Sequence, residues 1–214
     1  MEADSLEMRE YLYSLLDWQR TKAVLDVGCG NGGDLWRMEA LAPESASLQL
    51  VGVNSSAKAI EAARAGTEGH SCFSWHQHDV SSGLPFAGGA FDAVFSLNLL
   101  ECVPDKAALL VEMHRVLRPG GVVVCDGWMG RRLWPAFQRS GLSVGRIETY
   151  TLTNTTYAPG WCGYEQVQAF GALARRGLIA PEDYARFQAD IAAQASQNEY
   201  FYSITLYVYV GQKI

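Results

Sequence analysis

An acid followed by a cluster of glycines is the stretch of this sequence best suited to chemistry. Residues 24–33 read VLDVGCGNGG, so a hydrophobic run contains an acid, Asp26, near its end and a cluster of glycines begins two residues later. Glycine has no Cβ atom and tolerates left-handed backbone angles, so such a turn lets a ligand lie against the main chain. The ligand could be a dinucleotide, a nucleotide phosphate or another adenosine-bearing molecule, because Gly28, Gly30 and Gly33 also satisfy the dinucleotide pattern GxGxxG.

The charge of Asp26 helps to separate these ligands. A carboxylate at the end of a strand can hold an ammonium group, directly or through water, and its negative charge favours a cationic ligand. A pyrophosphate would be repelled at the same place. The glycine turn therefore favours an adenosine-bearing ligand with positive charge over a dinucleotide.

Short apolar runs alternate with helical patterns through the first 126 residues, which is typical of βαβ units and a parallel sheet. After a first helix at Asp4–Trp18, strands are predicted at Ala23–Val27, Leu48–Val53, Phe73–His76, Phe91–Ser96 and residues 122–125. The helices between them are predicted at Asp34–Leu41, Ser55–Arg64 and Asp105–Leu117. Sheets of this kind bind ligands outside the carboxyl ends of their strands, which is where the glycine turn lies.

The last third of the chain has a different pattern. A helix is predicted at Met129–Ser140, where Pro135 either kinks it or marks its start, and a strand at Gly145–Asn154. Two helices follow, at Tyr164–Arg176 and from Pro181 onward, and a strictly alternating strand closes the chain at Phe201–Val210. We expect one domain over residues 1–214, with a helical insert at about residues 155–199.

Composition and charge exclude several classes of protein. The net charge of −6 argues against a general nucleic-acid binder, and no apolar run approaches the length of a membrane span. The N-terminal MEADSLEMRE is acidic and unlike a signal peptide, and the five cysteines are scattered, so we expect a cytoplasmic protein. His76 and His78 have no third ligand at metal-binding spacing, so no metal site is predicted.

The motifs together resemble the class I S-adenosylmethionine-dependent methyltransferases, closest to the small-molecule branch that includes the ubiquinone-type enzymes. Asp26, Gly28, Gly30 and Gly32 fill that family's acid-GxGxG pattern in order. Three later stretches resemble its subsequent motifs in the right order and spacing: VGVNSSAKAIEAAR, FSWHQHDVSSGLPFAGGAFDAVFSLNLLECVPD and EMHRVLRPGGVVVCD. The resemblance covers residues 23–126 and implies a doubly wound, Rossmann-like, mostly parallel seven-stranded sheet whose last strand is antiparallel.

The resemblance also implies a cofactor site and a reaction. The cofactor would be S-adenosylmethionine, leaving as S-adenosylhomocysteine after methyl transfer to an O, N or C nucleophile of a small molecule. The expected cofactor-binding residues are Asp26, Gly28, Cys29, Gly30, Asn54, Ser55, Asp79, Val80 and Asn98. Asp79 would pair with the adenine amino group, or else cap a loop. Asn98 lies where methyl donor and acceptor should meet.

Asn54 departs from the family pattern, in which the second strand ends with Asp or Glu that accepts hydrogen bonds from the ribose hydroxyls. An amide oxygen can still accept, but a neutral acceptor makes weaker bonds than a carboxylate. The departure leaves open a second interpretation, a methyltransferase-like protein that binds cofactor or a partner without catalysis. A nicotinamide-dependent oxidoreductase is the third.

The remaining candidate residues give no catalytic assignment. Glu101 follows the fourth strand and could line the acceptor pocket or act as a base, although a solvated acid at a helix start is favoured. Cys29 is interpreted as a small filler and not as a nucleophile. Aromatic residues concentrate in the last third, where they predict core packing, an apolar acceptor pocket under a helical lid, or both. They include Trp128, Trp134, Tyr150, Tyr157, Trp161, Tyr164, Tyr200, Phe201 and Tyr202.

Overall fold

A single seven-stranded sheet runs through the computed structural model, which describes residues 5–42, 47–127 and 130–214. The strands are β1 (Ala23–Val27), β2 (Gln49–Asn54), β3 (Phe73–Gln77), β4 (Phe91–Ser96), β5 (Leu117–Gly127), β6 (Ser143–Asn154) and β7 (Tyr202–Gln212). Their order across the sheet is β3-β2-β1-β4-β5-β7-β6. The first five pair in parallel and β7 pairs antiparallel with β5, which confirms the fold class expected from the sequence.

The helices lie close to their predicted positions. They are α1 (Leu6–Ser14), α2 (Gly33–Glu39), α3 (Ala57–Gly66), α4 (Lys106–Val116), α5 (Gly130–Ser140), α6 (Cys162–Arg175) and α7 (Pro181–Ser196). Ser56 caps α3, because its hydroxyl oxygen accepts the backbone N–H of Ala59 at 3.3 Å. Helix α5 continues through Pro135, so that proline does not mark its start.

Burial explains why the central strands lack the alternation of a solvent-facing sheet. All five residues of β1, including Asp26, are buried, as expected for a parallel strand covered by helices on both faces. The core beneath it combines aliphatic residues from the strands with Leu109, Leu110 and Met113 from α4. Acidic side chains are rarely buried, so the presence of Asp26 in this apolar strand indicates a role other than packing.

The fifth strand is longer than its apolar run predicts. The sequence indicates VVVC alone, whereas the strand begins at Leu117 and includes Pro119 and both following glycines. A Cβ atom on Gly121 would lie 2.8 Å from the Arg118 carbonyl and 3.0 Å from the Asp92 carbonyl, so the backbones meet there too closely for a side chain. The glycines that end the helix in the sequence therefore also permit strand pairing.

Contacts between Cα atoms divide the chain into two compact units. The larger comprises the described residues of 11–150 and 206–214, and the smaller comprises residues 151–205 with the described residues of 1–10. Helices α6 and α7, which the sequence places in an insert at about 155–199, both lie in the smaller unit. The single domain over residues 1–214 stays a prediction.

An ion pair on α4 fixes the segment between β3 and β4. Glu112 accepts the backbone N–H of Leu84 at 2.9 Å, and Arg115 donates to Glu112 and to the carbonyls of Leu84 and Phe86. The hydrogen bonds from Arg115, with that from Leu84, lower the pKa of Glu112 to about 2. The folded protein lowers this pKa below its ordinary value of 4.5. The ionised carboxylate therefore adds fully to the free energy of unfolding above pH 4.5, and this contribution is lost as the pH falls from 4.5 through about 2.

We expect Glu112→Gln to lower the free energy of unfolding by about 1 kcal/mol at pH 7, since the amide keeps the shape but not the charge. The difference from wild type should shrink as the pH is lowered from 4.5 toward 2. Denaturant unfolding at several pH values measures this, with Glu61→Gln on the exposed face of α3 as the control. A difference that stays constant across this range would contradict the assignment.

Candidate functional site

The turn after β1 is held by the neighbouring strand. The backbone N–H groups of Gly28 and Cys29 both donate to the carbonyl of Val53 in β2, at 2.8 and 3.1 Å. Gly28, Gly30 and Gly32 have φ angles of 90°, 53° and 83°, all in the left-handed region. Residues with a Cβ atom rarely adopt these angles, so the turn requires the glycines.

The three glycines differ in what a side chain on them would meet. A Cβ atom on Gly28 would lie 3.0 Å from the Leu99 side chain, and one on Gly32 would collide with the ring of Trp75. A Cβ atom on Gly30 would meet nothing within 4 Å. Gly30 is therefore the place where the main chain is open to a ligand, while its two neighbours are enclosed by the protein's own side chains.

Two residues beside this turn were candidates from the sequence. Asp26 is buried at the end of β1, directly before the turn. Cys29 is also buried, and burial, followed by the nearby charge of Asp26, raises the pKa of its thiol. A thiol with a raised pKa is a poor nucleophile, so Cys29 fits its interpretation as a packing residue.

The end of β2 places Asn54 beside the turn, but its side chain is already in use. Asn54 Oδ1 accepts the backbone N–H of Ser56 at 2.9 Å, which supports the start of α3. The backbone carbonyl of Asn54 accepts the N–H of His78 at 3.0 Å, linking this strand end to the loop after β3. Ser55 is exposed between these contacts. The amide of Asn54 thus performs a local structural role whatever it contacts in a ligand.

Asp79 caps a short 3-10 turn at Val80–Ser82. Its Oδ1 accepts the Ser81 hydroxyl at 2.7 Å and the Ser81 N–H at 2.9 Å, and these bonds lower the pKa of Asp79. The loop cap that the sequence offered as one interpretation is thus present. Asp79 is exposed and Val80 is partly buried. Their contact with an adenine stays a prediction.

Asn98 follows β4 with a φ of 55°, one of the few left-handed residues other than glycine among those described. Its backbone N–H donates at 2.6 Å to Oδ1 of Asp126, a fully buried carboxylate in β5. A charge-assisted hydrogen bond of this kind offsets the strain at Asn98. The turn after β4 is therefore held from β5, as the glycine turn is held from β2.

Glu101 lies further along the same turn and differs from its expected setting. The sequence favours a solvated acid at a helix start, but α4 begins only at Lys106, with Asp105 as its cap. Glu101 Oε2 is buried and has no hydrogen-bond partner within the described ranges. A Cβ atom on Gly127, at the end of β5, would lie 3.3 Å from this oxygen.

The carboxyl ends of the parallel strands are thus joined through specific contacts. Three of the residues that join them were missed by sequence reasoning: Trp75, Leu99 and Asp126. Trp75 lies beneath the glycine turn, its indole N–H donating to the Thr67 hydroxyl at 2.9 Å. Asp126 had a detectable signal, because it ends an apolar strand as Asp26 does. Trp75 and Leu99 had none, since packing against a glycine leaves no pattern in one sequence.

The two histidines that suggested a metal site make separate contacts. His76 Nε2 hydrogen-bonds the Ser74 hydroxyl at 2.9 Å, and His78 Nε2 contacts the Gly83 carbonyl at 2.9 Å. Within the part of the chain that the structure describes, no group of three or more His, Cys, Asp or Glu is arranged to hold a metal ion.

The aromatic residues of the last third cluster only in part. In the smaller unit, the Tyr157 ring lies 5.1 Å from that of Tyr164 and 5.2 Å from that of Tyr200. Phe201 is largely exposed, and Trp128 lies outside the described residues. The tyrosine cluster confirms packing among these aromatics, and the acceptor pocket and lid stay predictions.

Comparison with known proteins gives a family match that includes the glycine turn. The family described as "Methyltransferase domain" matches residues 25–125, a range that contains every candidate cofactor residue. This match and the order of the seven-stranded sheet support membership of the class I S-adenosylmethionine-dependent methyltransferases. The same match supports S-adenosylmethionine as the cofactor.

Two curated relatives and one solved structure illustrate the similarity. A 37.1 kDa protein in transposon TN4556 of Streptomyces fradiae is 31% identical over 175 residues, covering 80% of this chain and 46% of that protein. Chloroplastic tocopherol O-methyltransferase of Arabidopsis thaliana is 31% identical over 147 residues, covering 67% and 40%. A crystal structure from Bacillus halodurans C-125 matches with a TM-score of 0.69 at 14% identity, covering 97% and 99% of the two chains, and shows the shared fold alone.

The chain spans less than half the length of these curated relatives. Its described helices include none that is long and apolar enough to cross a membrane. The residues near the glycine turn fit the cofactor, because no protein atom lies against the main chain at Gly30 and the paired strands β1 and β2 carry near their ends a buried acid, Asp26, and a polar side chain, Asn54. An ammonium group and ribose hydroxyls need partners of these kinds.

We expect Gly30→Ala to abolish most of the affinity for S-adenosylhomocysteine, because the new methyl group occupies the space open to the ligand. Gly69→Ala is the matched control, since Gly69 has a φ of 87° and no atom within 4 Å of its Cβ position, but lies away from the turn. Both variants carry a similar backbone strain of about 1 to 2 kcal/mol. Titration calorimetry measures the affinities, and equal binding by the two variants would place the ligand elsewhere.

We expect Asn54→Asp to bind S-adenosylhomocysteine about fivefold more tightly, a gain on the order of 1 kcal/mol. One carboxylate oxygen can keep the hydrogen bond from Ser56, while the other makes a charge-assisted bond to a ribose hydroxyl. Gln77→Glu is the control for charge alone, because Gln77 pairs with Asn54 in the adjacent strand. Unchanged binding by Asn54→Asp, or an equal gain in Gln77→Glu, would show that residue 54 makes no ribose contact.

Proposed function

We propose that this protein transfers a methyl group from S-adenosylmethionine to an O, N or C nucleophile of a small molecule. The observation that carries the proposal is the opening above Gly30, at the carboxyl edge of a sheet whose loops are joined to one another. Family membership supports the choice of cofactor. Similarity to a tocopherol O-methyltransferase supports an acceptor of small-molecule size.

We assign different residues at the sheet edge to different parts of the cofactor. We assign Asp26 to the ammonium group, the backbone of Gly28–Gly30 with Cys29 to close contact with the ligand, and Asn54 with Ser55 to the ribose. Asp79 and Val80 are assigned to the adenine, and Asn98 to the boundary between cofactor and acceptor. When bound, the cofactor supplies an electrophilic methyl group on a good leaving group, so the protein's main task is to hold the two reactants in line.

The acceptor half of the site is proposed to involve the helical segment at about residues 155–199. Helices α6 and α7 and the tyrosine cluster supply apolar surface within the smaller unit. A lid of this kind would exclude water from the reacting groups and open for product release. The acceptor is a small molecule in this proposal, and neither nucleic acid nor membrane is required.

A second candidate function is cofactor or partner binding without catalysis. Asn54 favours it, because the amide that replaces the family's acid is committed to capping α3 through Ser56. Weak cofactor binding combined with no turnover would be the expected behaviour of such a protein. The nicotinamide-dependent oxidoreductase is disfavoured, because the acid at the glycine turn would repel a pyrophosphate.

The proposed function predicts transfer of label from methyl-labelled S-adenosylmethionine to a small acceptor. We expect transfer to at least one of four probes of different chemistry: catechol, 1,4-naphthohydroquinone, trans-aconitate and phosphoethanolamine. Gly30→Ala should transfer none and Gly69→Ala should match wild type, which separates enzymatic from spontaneous methylation. Tight S-adenosylhomocysteine binding without transfer to any probe would favour the binding protein. Binding of NAD in place of S-adenosylhomocysteine would exclude both.

A further inference from the structure

A buried carboxylate oxygen lies at the ligand-binding edge of the sheet without a protein partner. Glu101 Oε2 is buried, and no described residue donates a hydrogen bond to it. Removing an ionised carboxylate from water without pairing it destabilises a protein, because the lost hydration is not replaced. Such a group persists in a fold when it serves a ligand, and its chemistry then defines what the ligand must offer: a proton donor or a cation.

The position of Glu101 relates it to the acceptor side of the site. The carboxylate lies against Gly127, the last residue of β5, where a Cβ atom would be 3.3 Å from Oε2 and 3.5 Å from Leu133 Cδ1. Leu133 is itself buried. Glu101 thus stands at the carboxyl end of two adjacent parallel strands, β4 and β5, beside an apolar wall.

Two other residues of the turn that carries Glu101, Asn98 and Leu99, are held by contacts with neighbouring segments. Asn98 is held through its N–H by the buried carboxylate of Asp126, and Leu99 packs where a side chain on Gly28 would be. Glu101 follows these residues by three and two positions. Its carboxylate is therefore presented by a rigid turn that also borders the cofactor's glycine turn, as a group that handles protons in a reaction must be.

We propose that Glu101 accepts the proton of the methyl acceptor's nucleophilic hydroxyl or amine; this rests on the proposed methyl-transfer function. The O–H or N–H bond of the acceptor would break with its proton passing to Oε2, and the nucleophilic atom would bond to the methyl carbon. The methyl–sulfur bond would break at the same time, its electron pair going to the sulfur, which leaves as S-adenosylhomocysteine. The carboxylate becomes a neutral carboxyl group and returns the proton to water when the product leaves. Asp26 remains the acid assigned to the cofactor's ammonium group.

The first test compares Glu101→Gln with Glu61→Gln, a control on the exposed face of α3. With the probe that wild type methylates, we expect Glu101→Gln to lower kcat by about 100-fold or more, the usual contribution of a general base. Its affinity for S-adenosylhomocysteine, measured by calorimetry, should equal that of wild type. Retained turnover would overturn the proposal, and so would a matching loss of S-adenosylhomocysteine affinity, since Glu101 would then belong to the cofactor half of the site.

The second test needs no turnover. Because one oxygen of the Glu101 carboxylate is buried without a hydrogen-bond partner among the described residues, we expect Glu101→Met to raise the melting temperature by about 2 to 4 °C in the absence of ligands. A structural acid would give the opposite sign, and a lower melting temperature would overturn the proposal. Failure of wild type to methylate any probe would count against the proposed function, while this melting comparison still decides whether Glu101 is a structural acid.

Discussion

The carbonyl of Val53 is the group on which the arrangement of this site depends. It receives two backbone N–H groups, from Gly28 and Cys29, and so binds the turn after β1 to the end of β2. The turn has left-handed backbone angles at Gly28, Gly30 and Gly32, which explains why these positions are glycines. At Gly30 no side chain of the protein covers the main chain of this turn, so a ligand can contact it. A tight turn stabilised from a neighbouring strand thus creates a surface on which atoms of a cofactor can lie against the main chain.

Other loops at this edge of the sheet are also held by hydrogen bonds from a neighbouring segment. Between β2 and the loop after β3 the link is again backbone, from His78 to Asn54. Between the turn after β4 and β5 it is a buried carboxylate, Asp126, that holds the N–H of Asn98. Parallel strands bring these loops to one edge, and the cross-links fix their spacing. The proposed cofactor site therefore depends on the sheet as a whole, because its loops are positioned by contacts outside the residues assigned to the ligand.

The sequence predicts the parts of this architecture that follow from periodicity and turn chemistry. The bounds of β1 and β4 are correct to the residue, and the glycine turn stands where its motif placed it. The sequence does not predict contacts between segments that are distant in the chain. Trp75 beneath Gly32, Leu99 against Gly28 and the carboxylate of Glu101 beside Gly127 are long-range packing relations that one sequence does not encode as a pattern. The extended start of β5 is of the same kind, because Leu117 pairs with Phe91 and the backbones of Gly120 and Gly121 form hydrogen bonds with Lys213.

The central claim is that ligand binds at the edge formed by the glycine turn and the loops cross-linked to it. Amide chemical shifts recorded during a titration with S-adenosylhomocysteine test it directly. The account predicts that the largest shifts fall on Gly28 to Gly32, on the loop around Asp79 and on Asn98, while Gly69 stays unchanged. Shifts confined to α6 and α7, or no saturable shifts at millimolar ligand, would contradict it.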